Sequence, residues 1–353
     1  MKVALVYDRV NKWGGAERVL LALHRIFPDA PLFTSVYNKD SALWAKVFDV
    51  KTSFLQKLPF AKSSHELYAV LMPMAFESFD FSNYDLVISV TSEAAKGIIT
   101  KPNTIHICYM LTPTRYLWSG YDLYFKNFLL RFLSKPVVSY LRSWDKIASK
   151  RPDKIIAIST EVSKRIKKYY DRNSEIIFPP VDEFKENSKE ENLGYFLIVS
   201  RLVYYKRIDI AIKAFNKLNL PLKIIGIGSE EESLKKLANS NIEFLGNLTD
   251  EKLSVYYKNC RGLIFPGVED FGLVMVEAQS FGKPVISFKG GGATDIIREG
   301  ITGEFFETQT PESLIGILEK FESTSYNSNL CRENALRFSF ENFKDRFLQV
   351  IKK

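Results

Sequence analysis

Short apolar segments alternate with longer amphipathic segments along the whole chain. In the first half the apolar segments are Val3–Tyr7, Leu86–Val90, Ile105–Tyr109 and Ile155–Ile158. In the second half they are Tyr195–Val199, Leu222–Ile225, Ile242–Phe244, Gly262–Phe265 and Val285–Ser287. Because these segments are apolar almost without interruption, they predict buried strands of parallel sheets.

Segments with helical periodicity lie between these strands. They are Ala16–Ile26, Glu161–Tyr170, Arg207–Leu218, Glu230–Ala238 and the final run Phe338–Lys353. Strand–helix alternation over 353 residues predicts an α/β protein with two doubly wound, Rossmann-like domains. A Pro-led, charged segment begins at Phe178 and marks a linker. We therefore expect a first domain at 1–180, a linker at 181–193, a second domain at 194–337 and a C-terminal helix at 338–353.

Composition narrows the class of protein. The hydrophobic content of 46% is that of a globular protein, and the apolar runs are too short for a transmembrane helix or a signal-peptide core. The three widely spaced cysteines argue for a reducing compartment and against a disulfide framework. The three histidines show no metal-ligand spacing. These features predict a cytoplasmic protein.

Positive charge is concentrated in the first half of the chain. Residues 1–185 hold 27 Lys and Arg against 18 Asp and Glu, and residues 101–172 hold 15 against 5. Within 121–146 aromatic residues alternate with cations. Such a segment is typical of a helix at an anionic membrane surface, but an ordinary packed helix with a charged face explains it equally well. Nucleic acid is the weakest alternative, because no binding motif accompanies the charge.

A strand–loop–helix unit in the second half carries the clearest candidate chemistry. The strand Gly262–Phe265 runs into Pro-Gly, then Glu269, Asp270 and a Phe-Gly pair, and a helical run containing Glu277 follows. A helix N-terminus attracts phosphate or an electron-rich oxygen. Glu277 comes eight residues after Glu269, which corresponds to roughly 12 Å along a helix, although we expect Glu269 to precede the helix proper. That spacing suits two parts of one long ligand better than a glycosidase pair, which needs about 5–9.5 Å.

Two further loops follow predicted strands of the second domain. The first loop follows Tyr195–Val199 and contains Arg201 and Lys206. Cations fixed at this place could stabilise a departing diphosphate. Gly228 and Ser229 follow Leu222–Ile225, and glycine allows backbone to approach a ligand closely. The alternatives are a solvated basic loop and a simple turn.

In the first domain, Gly14 and Gly15 follow strand Val3–Tyr7 and open a helix, so they could approach a phosphate or an acceptor. The alternative is a tight turn.

The ordered set of motifs from Phe265 to Gly303 resembles the signature of family 4 retaining glycosyltransferases of the GT-B fold. It comprises Glu269 and Glu277 with seven residues between them, then Gly282-Lys283-Pro284-Val285-Ile286 and Gly290-Gly291-Gly292. The resemblance covers essentially the whole chain, because other motifs occur in the expected order. It implies two Rossmann-like domains facing across a cleft, with the C-terminal helix packed back on the first domain.

The resemblance implies roles for the candidate residues. Arg201 and Lys206 would contact the diphosphate of a sugar donor, and Glu269 would lie near the transferred sugar. Backbone N–H groups of Phe271, Gly272 and Leu273 would face the sugar and diphosphate. Further donor contacts are implied for Glu277 at the ribose, for Gly228 and Ser229 beside the base, and for Gly14 and Gly15 at the cleft.

The segment 105–118 departs from the family pattern at one position. It resembles a stretch that usually reads Tyr-x-His-x-Pro-x-Arg-Tyr, but Leu111 occupies the position of the histidine. Arg115 and Tyr116 match the pattern and are candidates for acceptor contact. His106 is offset by five residues and is better interpreted as a core histidine on a buried strand.

The resemblance implies a hexosyltransferase that uses a nucleoside-diphosphate sugar and needs no metal or other cofactor. The local sequence is similar to mannosyltransferases of O-antigen assembly, which favours GDP-mannose as donor and a glycan or lipid-linked glycan as acceptor. A peripheral position at the inner face of the plasma membrane would suit such an acceptor. The alternatives are a UDP-sugar transferase of the same fold, a non-catalytic sugar- or nucleotide-binding protein and, least favoured, a nucleic-acid binder.

Overall fold

The structure, a computed structural model, describes residues 1–125, 127–181 and 193–352. The chain divides into two compact units, Met1–Pro179 and Pro180–Lys353, which we call the first and second domains. Of the predicted linker 181–193, residues 182–192 lie outside the described residues. The packing of the C-terminal helix on the first domain, like the cleft, stays a prediction.

The described residues of the first domain form a seven-stranded parallel sheet in the order β3-β2-β1-β4-β5-β6-β7. Its strands are β1 (Val3–Tyr7), β2 (Leu32–Thr34), β3 (Val50–Thr52), β4 (Leu86–Thr91), β5 (Ile105–Met110), β6 (Lys154–Ala157) and β7 (Glu175–Ile176). Its helices are α1 (Gly15–Ile26), α2 (Met72–Glu77), α3 (Tyr121–Tyr124), α4 (Phe128–Ala148) and α5 (Thr160–Tyr170). The strand order reverses between β1 and β4.

In the second domain, residues 193–352 form a six-stranded parallel sheet in the order β10-β9-β8-β11-β12-β13. Its strands are β8 (Phe196–Val199), β9 (Leu222–Ile225), β10 (Ile242–Gly246), β11 (Gly262–Phe265), β12 (Val285–Phe288) and β13 (Gly303–Phe306). Its helices are α6 (Ile208–Leu218), α7 (Glu231–Leu237), α8 (Asp250–Asn259), α9 (Leu273–Ser280), α10 (Ala293–Ile296), α11 (Pro311–Leu318), α12 (Ser328–Leu336) and α13 (Phe340–Lys352). The order reverses between β8 and β11.

The central strands are buried on both faces, as their apolar runs predict. All six residues of β4 and all four of β11 are buried. In an open parallel sheet the ligand lies beyond the carboxyl ends of the strands, at the point where the order reverses. Each domain therefore has one place where a ligand is expected, after β1 and β4 in the first domain and after β8 and β11 in the second.

The helices bear on the question of a membrane span. Among those formed by the described residues, none has the length and apolar character that crossing a bilayer requires.

Candidate functional site

The loops after β8 and β11 hold the predicted donor residues at the reversal point of the second domain. Lys206 and Glu269, which come from these two loops, form an ion pair, and their side chains are only 11% and 21% exposed. The ammonium also lies 5.7 Å from the centre of the Phe265 ring. The two charges were assigned to different parts of the donor, and the structure brings them into direct contact.

Arg201 lies on the same edge and is exposed. Its guanidinium Nη2 donates a hydrogen bond of 2.7 Å to the hydroxyl of Tyr205. This hydrogen bond restricts the conformations of the Arg201 side chain and so fixes its orientation. Tyr205 was missed by sequence reasoning, and its place between the two basic residues of the loop was the only available signal.

Glu277 occupies the buried side of α9 and is 3% exposed. Its Oε2 accepts a hydrogen bond of 2.7 Å from the hydroxyl of Tyr257 on α8, and the Tyr257 ring stacks on Phe281 at 5.5 Å. A tyrosine hydroxyl that donates to a carboxylate fixes its orientation. The carboxylate is thus held in place rather than lying on an exposed helix face. Sequence analysis missed Tyr257, because it belongs to no recognisable motif.

The start of α9 is shaped by Gly272, which has a φ of 100° in the left-handed region that favours glycine. Phe271 beside it is buried and packs edge-on against Phe338 at 5.5 Å. Only its backbone, not its ring, is therefore available to a ligand. Leu273 is the first residue of the helix, so its N–H belongs to the unpaired first turn.

The loops of this edge also pack tightly on one another. A Cβ on Gly228 would lie 2.2 Å from the carbonyl oxygen of Leu202, and one on Gly292 would lie 2.3 Å from the Cα of Phe271. The Gly292 N–H donates to the carbonyl of Glu269 at 2.9 Å. These glycines are needed for loop-to-loop contact, whatever the ligand. Gly228 and Ser229 are themselves exposed.

Gly14 and Gly15 lie at the start of α1 in the first domain, as predicted. An acidic residue already occupies the first turn of this helix. The buried Glu17 accepts a hydrogen bond of 2.7 Å from the hydroxyl of Tyr7, and a Cβ on Gly14 would lie 3.2 Å from its Oε2. The carboxylate of Glu17 therefore complements the helix N-terminus locally.

Arg115 and Tyr116, the predicted acceptor residues, lie in the segment that follows β5. The backbone carbonyl of Arg115 accepts hydrogen bonds from the N–H groups of Trp118 and Gly120, which fold the segment into a compact turn. The Tyr116 ring packs edge-on against Tyr124 at 6.3 Å. Burial raises the pKa of the Tyr116 hydroxyl well above its usual range. The hydroxyl therefore stays protonated and able to donate.

A buried ion pair anchors this segment. Lys96 Nζ lies 2.5 Å from Asp145 Oδ1, and both side chains are 1% exposed. Asp145 also accepts hydrogen bonds from Thr114, Trp118 and Tyr170, at 3.0, 2.7 and 2.6 Å. The pair therefore ties the loop after β4 to the segment after β5 and to helices α4 and α5. Lys96 and Asp145 were not identified from the sequence.

His106 lies in the core, as interpreted from the sequence. It is fully buried, and its Nε2 lies 2.8 Å from Ser89 Oγ. Burial lowers its pKa to about 3, so the ring is neutral. Leu111, which stands at the position of the family histidine, donates its backbone N–H to Thr91 at 2.8 Å.

In residues 1–125, 127–181 and 193–352, no group of three or more His, Cys, Asp or Glu side chains is arranged to hold a metal ion.

Two Rossmann-like domains in one chain are the elements of the GT-B fold. Solved structures of similar fold agree. Anabaena Alr3699/HepE in complex with UDP superposes with a TM-score of 0.74 at 18% identity, covering 100% of both chains. At this identity the likeness shows the fold alone, and the prediction of a GT-B fold built from two Rossmann-like domains is confirmed.

The sequence comparisons match the second domain to a family model. Residues 181–338 match the family model "Glycosyl transferases group 1", so the second domain is a domain of that family, as the resemblance implied. The "O-antigen chain mannosyltransferase C" of Escherichia coli is 28% identical over 214 residues, 56% of this chain and 56% of that protein. The "Uncharacterized glycosyltransferase MJ1178" of Methanocaldococcus jannaschii is 30% identical over 208 residues, 56% of this chain and 58% of that protein. The matches thus span little more than half the length of these relatives.

Proposed function

We propose that the protein is a glycosyltransferase that moves a hexose from a nucleoside-diphosphate sugar to a hydroxyl of a glycan or lipid-linked glycan. The arrangement at the reversal point of the second domain carries this proposal. Arg201 and Lys206 supply positive charge after β8, and the oriented carboxylate of Glu277 lies in the helix that follows β11. Cations suit a diphosphate, and a two-oxygen acceptor suits the paired hydroxyls of a ribose.

In the proposed reaction the bond between the anomeric carbon and the diphosphate oxygen breaks. Negative charge accumulates on the leaving diphosphate, where Arg201, Lys206 and the N-terminus of α9 stabilise it. The acceptor hydroxyl attacks from the same face and passes its proton to a phosphate oxygen. The new bond therefore retains the anomeric configuration. These cations do the work that a metal ion would otherwise do, and the proposal includes no cofactor.

The Lys206–Glu269 ion pair suggests how donor binding prepares these two residues for the reaction. Before donor binding, Glu269 neutralises the lysine. A diphosphate that approaches Lys206 would compete with Glu269 for the ammonium group. The Glu269 carboxylate would then be free to accept a hydrogen bond from a hydroxyl of the sugar. The pair thus holds both groups near their working positions until the donor arrives.

For the donor itself we favour GDP-mannose. The support is the resemblance to O-antigen mannosyltransferases and the matching name of the Escherichia coli relative. The UDP in the Anabaena structure favours the alternative, a UDP-sugar.

A donor-panel assay tests the proposed function. Release of nucleoside diphosphate is measured from GDP-mannose, UDP-glucose, UDP-galactose and UDP-N-acetylglucosamine, with and without a membrane glycolipid extract as acceptor. We expect release from one donor, with GDP-mannose the first candidate, and faster release when acceptor is present. Tight donor binding without any product would instead indicate a non-catalytic binding protein.

We further propose that the first domain contacts an anionic membrane through the exposed face of α4. Phe132 and Leu133 are 61% and 62% exposed, and Val137 and Tyr140 extend the same face. Residues Val138 and Leu141 bury the opposite face. The helix also carries the cations Arg131, Lys135, Arg142 and Lys146. Of these, Arg131 pairs with Asp122, and Arg142 donates to the carbonyl of Leu117 and packs on Trp118. An apolar stripe bordered by cations is the pattern of a helix that lies in a membrane interface. A peripheral position at the inner face of the plasma membrane would follow.

The membrane proposal predicts a loss of vesicle binding in the double variant Phe132→Ser/Leu133→Ser. We expect sedimentation with phosphatidylglycerol vesicles to weaken at least about tenfold, or roughly 1.4 kcal/mol, because two partly inserted apolar side chains are removed. The control is Leu43→Ser/Val47→Ser, which changes exposed apolar residues elsewhere on the first domain. Equal binding by the wild type and the α4 variant would refute the assignment. Retention on RNA but not on vesicles would favour a nucleic-acid partner.

A further inference from the structure

A cluster of charged and titratable side chains lies at the reversal point of the first domain, outside the donor site. Arg9 follows β1, Glu93 follows β4, and Arg9 Nη1 lies 2.5 Å from Glu93 Oε1. His65, from the short 3-10 helix His65–Tyr68, joins them with its Nε2 3.9 Å from the other oxygen, Glu93 Oε2. These are the positions at which an open parallel sheet binds its ligand.

The imidazole of His65 is buried, and its ring nitrogens lack hydrogen-bond partners. Its side chain is 4% exposed, and neither ring nitrogen has a hydrogen-bond partner among the residues that the structure describes. Glu66 Oε2 lies 3.3 Å from Nδ1, without hydrogen-bond geometry. Buried polar atoms are nearly always hydrogen-bonded, and His65 is the one histidine of the described residues whose two ring nitrogens are both buried without a partner. A water or a ligand hydroxyl would supply the missing hydrogen bond.

The gap between His65 and Glu93 fits a hydroxyl group. An oxygen about 2.8 Å from each of two such atoms would see them at an angle of about 90°, which a hydroxyl tolerates. It would donate to the carboxylate and accept from an Nε2–H of the ring. Burial, and then the charge of Arg9, lower the pKa of His65 to about 4, so the ring is neutral near pH 7. A neutral imidazole beside a carboxylate matches a polyhydroxyl ligand rather than an anion.

The cluster is also held rigidly. Asp8 is buried and accepts hydrogen bonds from Thr91 Oγ1 and from the backbone N–H groups of Ser92, Glu93 and Ala95. This carboxylate fixes the turn that carries Glu93. Glu93 also lines, together with Tyr116, a cavity of about 10 Å³. The cluster therefore adjoins a residue already expected to contact the acceptor.

We infer that Arg9, His65 and Glu93 form a saccharide-binding site in the first domain, in which one ligand hydroxyl bridges His65 Nε2 and Glu93 Oε2. The inference rests on the proposed function, because the saccharide would be the acceptor glycan. Arg9 holds Glu93 by one oxygen and leaves the other to the ligand. No donor role is assigned to these residues.

The test observes the histidine rings directly. The chain has three histidines, so side-chain nitrogen NMR spectra of labelled protein resolve them individually. The probes are methyl glycosides of mannose, glucose, galactose and N-acetylglucosamine, with sodium sulfate as the anion control. We expect at least one glycoside, and not sulfate, to shift the ring signals of His65 while His24 and His106 stay unchanged.

The Glu93→Gln variant should weaken this glycoside affinity at least tenfold. Its matched control is Glu77→Gln, which removes another part-buried carboxylate paired with an arginine, here Arg151 at 2.6 Å. If no glycoside moves His65, or if the shift is the same in Glu93→Gln, a structural water fills the gap and the inference is wrong. Nucleotide binding in the same samples separates the two proposals. Donor binding without a His65 response refutes the saccharide site alone, whereas loss of both refutes the proposed function.

Discussion

Replacing Arg201 with alanine is expected to lower the rate of sugar transfer at least about 10²-fold, a scale that is typical for one transition-state contact. The guanidinium is positioned by Tyr205 at the edge where the diphosphate would depart, and its charge matters most when negative charge accumulates there. We expect kcat to fall more than donor affinity. Steady-state kinetics with the active donor of the panel measures both.

Two variants sharpen this result. Arg201→Lys keeps the charge but loses the planar, two-point contact, so an intermediate rate is expected. Lys213→Ala removes an exposed cation from α6 and should leave the rate unchanged. A wild-type rate in folded Arg201→Ala protein would remove Arg201 from the site.

Replacing Lys96 with methionine is expected to lower the unfolding free energy of the first domain by about 3–5 kcal/mol. Loss of one partner from a buried ion pair leaves the other as an uncompensated charge, and this costs far more than the pair itself contributes. Asp145 would keep the hydrogen bonds from Thr114, Trp118 and Tyr170, but it would lose its only neutralising contact in this network of described residues. Urea denaturation followed by tryptophan fluorescence measures the change.

The second variant of this pair separates charge from packing. Lys96→Met/Asp145→Asn removes both charges and keeps an amide oxygen that can accept from Trp118 and Tyr170, so we expect much of the lost stability to return. Lys167→Met, which breaks an exposed i,i+4 pair with Asp171, should change little. If Lys96→Met stays within about 1 kcal/mol of the wild type, the ion pair does not anchor the segment after β5.

The sequence predicted the central strands because burial on both faces leaves an almost unbroken apolar run. It missed four other strands, β2, β3, β7 and β13, for an equally physical reason. Strands β2, β3 and β7 have three, three and two residues, too few to show a pattern. Strand β13 begins with Gly303 and Glu304, which do not resemble a buried strand.

In the candidate site, too, the sequence identified some features and missed others. Arg201, Lys206, Glu269 and Glu277 were identifiable because each lies at a fixed distance from a predicted strand. The pairing of Lys206 with Glu269 and the hydrogen bond of Tyr257 were not, because they join residues far apart in the sequence. The cluster of Arg9, His65 and Glu93 is of this kind, since three separate segments supply its members. Such contacts depend on how loops fold over the sheet edge, and hydrophobic periodicity carries no information about that.

The central claim is that the second domain binds the nucleoside diphosphate of a sugar donor, and thermal stabilisation by nucleotides tests it most directly. A ligand raises stability by RT ln(1 + [L]/Kd), roughly 2.7 kcal/mol at one hundred times Kd. With GDP, UDP, GDP-mannose, UDP-glucose and UDP-N-acetylglucosamine as the panel, we expect nucleotides of one base to raise Tm in the wild type. The same nucleotides should have little effect on Glu277→Gln. No shift with any nucleotide, or an equal shift in both proteins, would contradict the account.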